Sequence, residues 1–341
     1  PVFGFLLATA CFVDLCSFGQ SLYPLVPAAE LHPSAPLVRA VRADAAIESG
    51  QARFLAPDAA RVWERFTTHR SFRQHQAQYP SLWADTLTPN LMMPYHLRDA
   101  YGYEPFTRKD TQTIAGTAAR ALRPDAKSNE NRSAATWAEF LAALENVSLR
   151  AHENTPSLAG LTPMLTAKTL PLLRKPRENA GLILSINARW QPRARLMTDF
   201  RTVPSEKAAQ ALLTRILLGK EKVNLGKTIV LTGRAPFSSV SGLIVPVRIQ
   251  DEGPDRVLIT AHAVRPCILV LADSLHPGWR AYVNGRAAPI VPANLCLRAV
   301  ILPSAGDYRV EFADDPESFR LGLYISLAAI AALAASGILI W

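Results

Sequence analysis

The segment Leu271-Ala272-Asp273-Ser274-Leu275-His276-Pro277-Gly278-Trp279-Arg280-Ala281-Tyr282-Val283-Asn284-Gly285 concentrates the side chains of this chain best suited to recognition. Pro277-Gly278 marks a turn between two apolar runs, and Asn284-Gly285 is a type I′ hairpin signal. A Trp beside such a turn can offer its face to a sugar ring, with Asp273, His276 and Asn284 as hydrogen-bonding neighbours. The competing reading is that Trp279 caps the end of a β core, and it takes precedence because Trp side chains are usually well buried. A second candidate is Asp99-Ala100-Tyr101-Gly102-Tyr103-Glu104, which combines carboxylates with phenols. Asp99 and Tyr103 are its candidate ligand contacts, and loop packing is the plainer expectation for them.

Signatures of catalysis are missing: the chain has no HExxH, CxxC, GxSxG or GxGxxG. Leu225-Gly226-Lys227-Thr228 imitates the end of a phosphate-binding loop, but Glu221 stands where the first glycine is required. The Lys also leads into a strand, so no helix N-terminus would meet a phosphate. The seven histidines show no metal-ligand spacing. Neither a catalytic residue, a metal site nor a cofactor is expected from these patterns.

The net charge is +9 with pI near 9.6, which favours phosphate groups. No basic run is long enough for a nucleic-acid arm, so nucleic acid is not an expected partner. Arg174-Lys175-Pro176-Arg177 and Arg189 to Arg195 are interrupted by Pro and Trp and read as solvated basic faces. Of the four cysteines, only Cys267 and Cys296 are placed to pair. Both fall in expected strands, where a buried free thiol is the better reading.

The elements that must position these residues can be read from periodicity. All Lys, Arg, Asp and Glu lie between Asp14 and Arg320, leaving two uncharged apolar ends. Leu321 to Trp341 has the length of a bilayer-spanning helix at ~1.5 Å per residue. Pro1 to Val13 is too short to cross alone and reads as part of a truncated transmembrane helix. Helical spacing is expected at Pro36 to Ala46, Asp58 to Gln76, Thr111 to Leu122, Ala135 to Leu144 and Ser205 to Leu218. Short strands are expected at Ala52 to Leu55, Asn146 to Arg150 and Leu182 to Ile186. Arg123 to Ser133 and His152 to Gly181 read as loops.

From Thr228 onward, short apolar runs alternate with turn residues, the texture of an antiparallel sandwich. Its expected strands are Thr228 to Thr232, Gly242 to Gln250, Arg256 to Ala263, Ile268 to Asp273, Arg280 to Val283, Ala288 to Val291, Leu297 to Leu302 and Tyr308 to Phe312. The expected class is a membrane-anchored α+β protein: a mixed α/β region followed by an antiparallel β-sandwich, flanked by transmembrane helices. The expected divisions are a partial transmembrane helix and membrane exit at 1–22, mixed α/β at 23–220, the β-sandwich at 221–318 and the terminal helix at 319–341.

At the Trp279 segment the chain resembles the YfhO-like family of bacterial membrane proteins, which are similar to GT-C glycosyltransferases. The resemblance rests on Asp273, Pro277-Gly278-Trp279, Asn284-Gly285, Pro289, Asn294, Arg298-Ala299-Val300, Pro303 with Gly306, and Phe312 followed by Pro316 and Gly322. Looser echoes run upstream, at Asp14-Leu15, Phe18-Gly19, Tyr23-Pro24, Asn90, Gly102-Tyr103, Asn146-Val147, Asn187 and Pro192-Arg193-Ala194. The family often has Asp where Asn284 stands and an aromatic where Leu275 or His276 stands.

The resemblance implies a many-helix core upstream and an extracytoplasmic region on the bacterial inner membrane, with this chain its C-terminal part. It implies a lipid bilayer, a polyprenyl-phosphate-linked sugar and an envelope glycan acceptor as partners. The GT-C catalytic carboxylate would lie upstream, so an accessory or binding role is expected. The alternative is a non-enzymatic, membrane-anchored envelope module that binds glycan or protein through its β-sandwich.

Overall fold

The computed structural model describes residues 8–17, 35–55, 95–98, 147–152, 161–165, 183–187, 190–242, 244–253 and 255–339. The expected helices at 58–76, 111–122 and 135–144, the loop at 123–133, the basic cluster at 174–177 and the whole of 99–104 lie outside these residues. The chain divides into two compact units, Pro1–Pro105 with Val147–Ala188, and Phe106–Asn146 with Arg189–Trp341.

In the first unit, the helix expected over 36–46 is two pieces, α1 (Ala35–Arg42) and α2 (Ala45–Glu48). The break falls at Asp44, whose carboxylate accepts from the N–H groups of Ala46 (2.9 Å) and Ile47 (3.3 Å) and so starts a new helix. Strands β1 (Arg53–Leu55), β2 (Val147–His152), β3 (Leu161–Leu165) and β4 (Ile183–Asn187) form one sheet in the order β1-β2-β4-β3. Strand β3 corrects the expectation of an unbroken loop over 152–181. Pro163 hid it, yet proline is tolerated here because β3 is an edge strand with a register shift between Pro163 and Leu165.

The second unit is built mainly from strands. They are β5 (Ala194–Met197), β6 (Phe200–Val203), β7 (Ile229–Thr232), β8 (Ile244–Pro246), β9 (Ile249–Glu252), β10 (Arg256–Ala263), β11 (Cys267–Ser274), β12 (Trp279–Val283), β13 (Arg286–Ala288), β14 (Val291–Ala293), β15 (Leu297–Leu302) and β16 (Gly306–Asp314). One sheet has the order β6-β7-β14-β15-β11-β5-β8 and the other β13-β12-β16-β10-β9. Only β6 and β7 pair in parallel, and α3 (Glu206–Leu217) makes the crossover between them. Ser205 caps α3 by accepting from the Ala208 N–H at 3.2 Å, and Ala209, Leu213, Ile216 and Leu217 form its buried face. Strands β5 and β6 lie before residue 221, so the seven-stranded sheet crosses the expected division there.

Alternation along β11 explains how the layers stack. Cys267, Leu269 and Leu271 enter a core shared with Val257, Ile259, Val310 and Phe312 of the five-stranded sheet. Ile268, Val270 and Ala272 point the other way, into a second cluster with Phe200, Ile229 and Leu231. A strand covered on both faces must be apolar throughout, and Cys-Ile-Leu-Val-Leu-Ala is.

Two expected strands are each divided between the sheets. The run at 242–250 turns at Val247-Arg248, giving β8 to one sheet and β9 to the other. The run at 288–291 breaks at Pro289-Ile290 between β13 and β14. Val247 drives the first change by burying its side chain in the shared core. The wall therefore curls from one sheet into the next, like half a barrel.

Helix α4 (Glu317–Leu339) follows β16. Phe319, Leu321, Leu323, Tyr324, Ile325, Leu327 and Ile330 are all exposed. The expected transmembrane assignments at 1–22 and 319–341 are not met by a span: no helix among the described residues is long and apolar enough to cross a membrane. In α4, Glu317 and Arg320 charge the first turn, and Ser318, Gly322 and Ser326 dilute the apolar run. Residues 8–17 are helical, with Phe12, Val13 and Leu15 exposed, but Asp14 interrupts that stretch.

Asn284 takes φ +51° and Gly285 φ +77°, as the hairpin turn requires. Asn284 Oδ1 also accepts from the Arg309 N–H at 2.7 Å, tying the turn to β16. Asn284→Ala is expected to cost about 1–2 kcal/mol in chemical denaturation, and Asn284→Gly less, because glycine keeps the backbone conformation. Equal losses would show that the left-handed conformation contributes nothing.

All four cysteines are free, Cys11 and Cys16 exposed, Cys267 and Cys296 buried. Burial pushes the Cys267 thiol from 9.0 up to about 11. The unfolded chain therefore ionises first, and stability should decline as pH rises from 9 toward 11. A thiol reagent at pH 8 should modify Cys11 and Cys16 in the folded protein, and Cys267 and Cys296 only after unfolding.

Candidate functional site

Strands β11 and β15 pair in regular register until Leu271 meets Arg298, and the next pair is Ser274 with Leu297. Ala272 and Asp273 are thus extra residues, forming a bulge that re-aims the Asp273 side chain. Arg193 grips this bulge twice. Its carbonyl accepts from the Ala272 N–H at 2.8 Å, while its Nε and Nη2 donate to the two Asp273 oxygens at 2.8 and 2.7 Å. Arg298 Nη2 donates to Asp273 Oδ2 at 2.9 Å.

All three side chains are buried. Two cations around one anion leave an excess positive charge in a dry place, and aromatic rings receive it. The Arg298 guanidinium lies 3.6 Å from the Trp279 ring centroid and 5.4 Å from that of Phe312. A desolvated contact of this kind contributes ~2 kcal/mol.

Trp279 begins β12, and its ring packs against the shared core with part of it still exposed. The turn before it closes through the Trp279 N–H donating to the His276 carbonyl at 3.1 Å. Pro277 supplies the fixed φ, and Gly278 supplies space: a Cβ there would come within 2.5 Å of Asp314 Oδ1. His276 Nδ1 accepts from the Gly278 N–H at 3.2 Å, which puts the proton of the neutral ring on Nε2. That nitrogen faces Asp314 Oδ2 at 3.4 Å, and the ring sits 5.6 Å from Trp279.

Above this base opens a groove of about 560 Å³. His276, Pro277, Trp279, Arg280, Tyr282 and Pro289 give it an aromatic and aliphatic lining with polar tips, and Glu206 at the start of α3 also reaches it.

Of the six residues proposed from sequence, the structure brings Trp279 and His276 together at the groove. Asp273 corrects the expectation: it lies beneath, with both oxygens taken by arginines, and makes no hydrogen-bonding neighbour for a sugar on Trp279. Asn284 is also separated, at the far end of β12, roughly 17 Å along the strand at ~3.4 Å per residue. Its amide serves the hairpin instead. Asp99 and Tyr103 lie outside the described residues.

The basic stretch at 189–195 corrects the solvated-face reading. Arg193 is 4 % and Arg195 1 % exposed, and burial lowers the Arg195 guanidinium to about 10. Arg195 Nη1 donates to the Pro192 carbonyl at 2.8 Å.

Sequence reasoning missed Arg193 and Arg298 as partners of Asp273, Arg298 as the cation on Trp279, Asp314 as the carboxylate facing His276, and Arg280 and Tyr282 as groove lining. One signal was present: Arg298 interrupts the apolar run Leu297 to Leu302, and a charge in a covered strand needs a partner. Among the described residues, no group of three His, Cys, Asp or Glu side chains is placed to hold a metal ion. His276 is the groove's imidazole, and the Tyr282 phenol and the Glu206 carboxylate line the groove with it. The aromatic and aliphatic walls with polar tips are suited to holding a ligand.

No protein-family model matches the chain, and no curated protein matches it. Among solved structures, the arabinofuranosyltransferase AftD from mycobacteria is similar at 25% identity over 29% of this chain and 8% of that chain, with a TM-score of 0.24. A mutant form of the same enzyme gives the same identity and score over 30% and 8%. This chain thus spans about 8% of that enzyme's length, and at such a score the superposition establishes no shared architecture.

Replacing Asp273 by Asn keeps its shape but leaves two buried guanidinium groups without their anion. The expected loss is about 3–5 kcal/mol by urea denaturation. Arg298→Met leaves the bidentate Arg193–Asp273 pair intact and should cost less. The reverse order would mean that Arg298, not Asp273, holds the cluster together.

Proposed function

We propose that this chain is the C-terminal, extracytoplasmic binding region of a multi-span, YfhO-like bacterial membrane protein related to lipid-linked-sugar-dependent glycosyltransferases. In this reading the curled sheets form a β-sandwich module that holds glycan, and sugar transfer takes place on another part of the whole protein. The observation that carries the reading is the groove over β12 and β13. It is open to one side and walled by Trp279, Tyr282 and two prolines, with His276 and Arg280 at its margin. Flat apolar faces with polar edges suit a sugar ring, which has the same two-sided character.

Two further features support it. Strand β16 leads through Asp315-Pro316 into α4, whose exposed apolar residues fit a bilayer and would keep the groove at the membrane face of the inner membrane. Of the carboxylates near Trp279, Asp273 is held by two arginines, and Asp314 Oδ2 faces His276 at 3.4 Å. The partners of such a region are the bilayer, a polyprenyl-phosphate-linked sugar and an envelope glycan acceptor.

The test is binding of envelope glycan fragments to the chain reconstituted in nanodiscs, followed by Trp fluorescence and calorimetry. Tyr282→Ala is expected to weaken binding about two- to tenfold with stability little changed. Trp279→Ala should lower stability by ~2–3 kcal/mol, since it empties part of the core and uncovers Arg298. If Tyr282→Ala and His276→Ala both bind as the unaltered chain does, the groove is not the site. Sugar transfer by this chain alone would overturn the accessory role.

A further inference from the structure

The groove and the start of α4 share one arginine. Arg280 lines the groove from β12, and its Nη2 donates to Glu317 Oε1 at 3.1 Å in the first turn of α4. Its Nε lies 3.9 Å from Asp315 Oδ2, the atom that also holds Arg320 at 3.4 Å. The rest of the groove base leans on the same connection, because the Asp315 N–H donates to the Gly278 carbonyl at 2.9 Å and His276 faces Asp314. Among the described residues, these hydrogen bonds and ion pairs tie the base to the helix through the short stretch Asp314 to Glu317.

These ion pairs are exchangeable. The Glu317 side chain is 84% exposed and that of Arg280 45%, so water competes with their attraction and the pair is weak. A guanidinium carries five N–H donors in a planar fork that matches a carboxylate, and the present partners of Arg280 are both carboxylates. The chemistry that can replace them is another carboxylate delivered by a ligand in the groove.

We propose that the groove takes an acidic sugar whose carboxylate captures Arg280 from Glu317 and Asp315, so that occupancy of the groove loosens the first turn of α4 from the sheet. This inference rests on the glycan reading of the groove and adds the ligand's charge and its mechanical effect. The groups facing the exchange are Glu317, Asp315 and Arg320 on the helix side, and His276, Asp314 and Glu206 around the groove. Glu206 and Asp314 disfavour further anions, which limits the ligand to one carboxylate placed at Arg280.

The experiment uses the full chain in nanodiscs with two probes, a glucuronate-containing oligosaccharide and its neutral glucose counterpart. The glucuronate form should bind about two- to fivefold more tightly, and Arg280→Gln should erase the difference while leaving neutral binding in place. The Asp315→Asn/Glu317→Gln pair, which removes the competing anions, should strengthen glucuronate binding alone. Amide hydrogen exchange in residues 317–322 should quicken when glucuronate binds and stay unchanged with the neutral sugar. Equal affinity for the two sugars, or unchanged exchange under saturating glucuronate, overturns the inference and leaves the glycan reading standing. Binding of neither sugar overturns both.

Discussion

The second unit depends on a charge cluster almost wholly removed from bulk water. A pair of arginines and one aspartate, taken out of solvent, cost several kcal/mol per ion, and only close geometry offsets that cost. Here the offset comes from three strands at once. Arg193 precedes β5, Asp273 sits in the β11 bulge and Arg298 lies in β15, which are neighbours in the seven-stranded sheet. Trp279 and Phe312 then present ring faces to Arg298 from the opposite sheet. The cluster therefore specifies the register of β11 and also the depth at which the two layers meet. Its position beneath the groove explains why Trp279 can be partly exposed and still rigid.

Much of the second unit was legible because local and tertiary signals agree. Ser205 before the apolar stripe of α3, Asn284-Gly285 between two strands and the unbroken apolar run of β11 each announce their structure through spacing alone. The failures are equally physical. The runs at 242–250 and 288–291 look like single strands, since apolar periodicity does not register which sheet a residue faces. Strand β3 was hidden by Pro163, whose edge position cannot be known before the sheet order is. The basic stretch at 189–195 misled most, because a charge pattern describes a solvated surface unless the partner anion is located. That anion, Asp273, is 80 residues away from Arg193.

The candidate site was legible as a place but not as a set of roles. Trp279 and His276 meet where the Pro-Gly turn puts them, whereas Asp273 and Asn284 are diverted to hold the structure. A bulge of two residues separates the sugar-facing reading of Asp273 from its role as a counter-ion. The bulge is a consequence of pairing between strands and has no sequence signature of its own, whereas Pro277-Gly278 marks the turn.

Strand β16 has a place in the fold with a mechanical meaning. It lies between β12 and β10, hydrogen-bonded along both sides, and leads through the two residues Asp315-Pro316 into α4. Tension applied through the helix acts along the strand axis and loads the bonds of both ladders together, in shear, instead of peeling them one by one. Val310 and Phe312, fully buried from that strand, would have to be dragged through the core before it could slip. A pull on the helix would thus be carried through both ladders into the five-stranded sheet and the core beneath it.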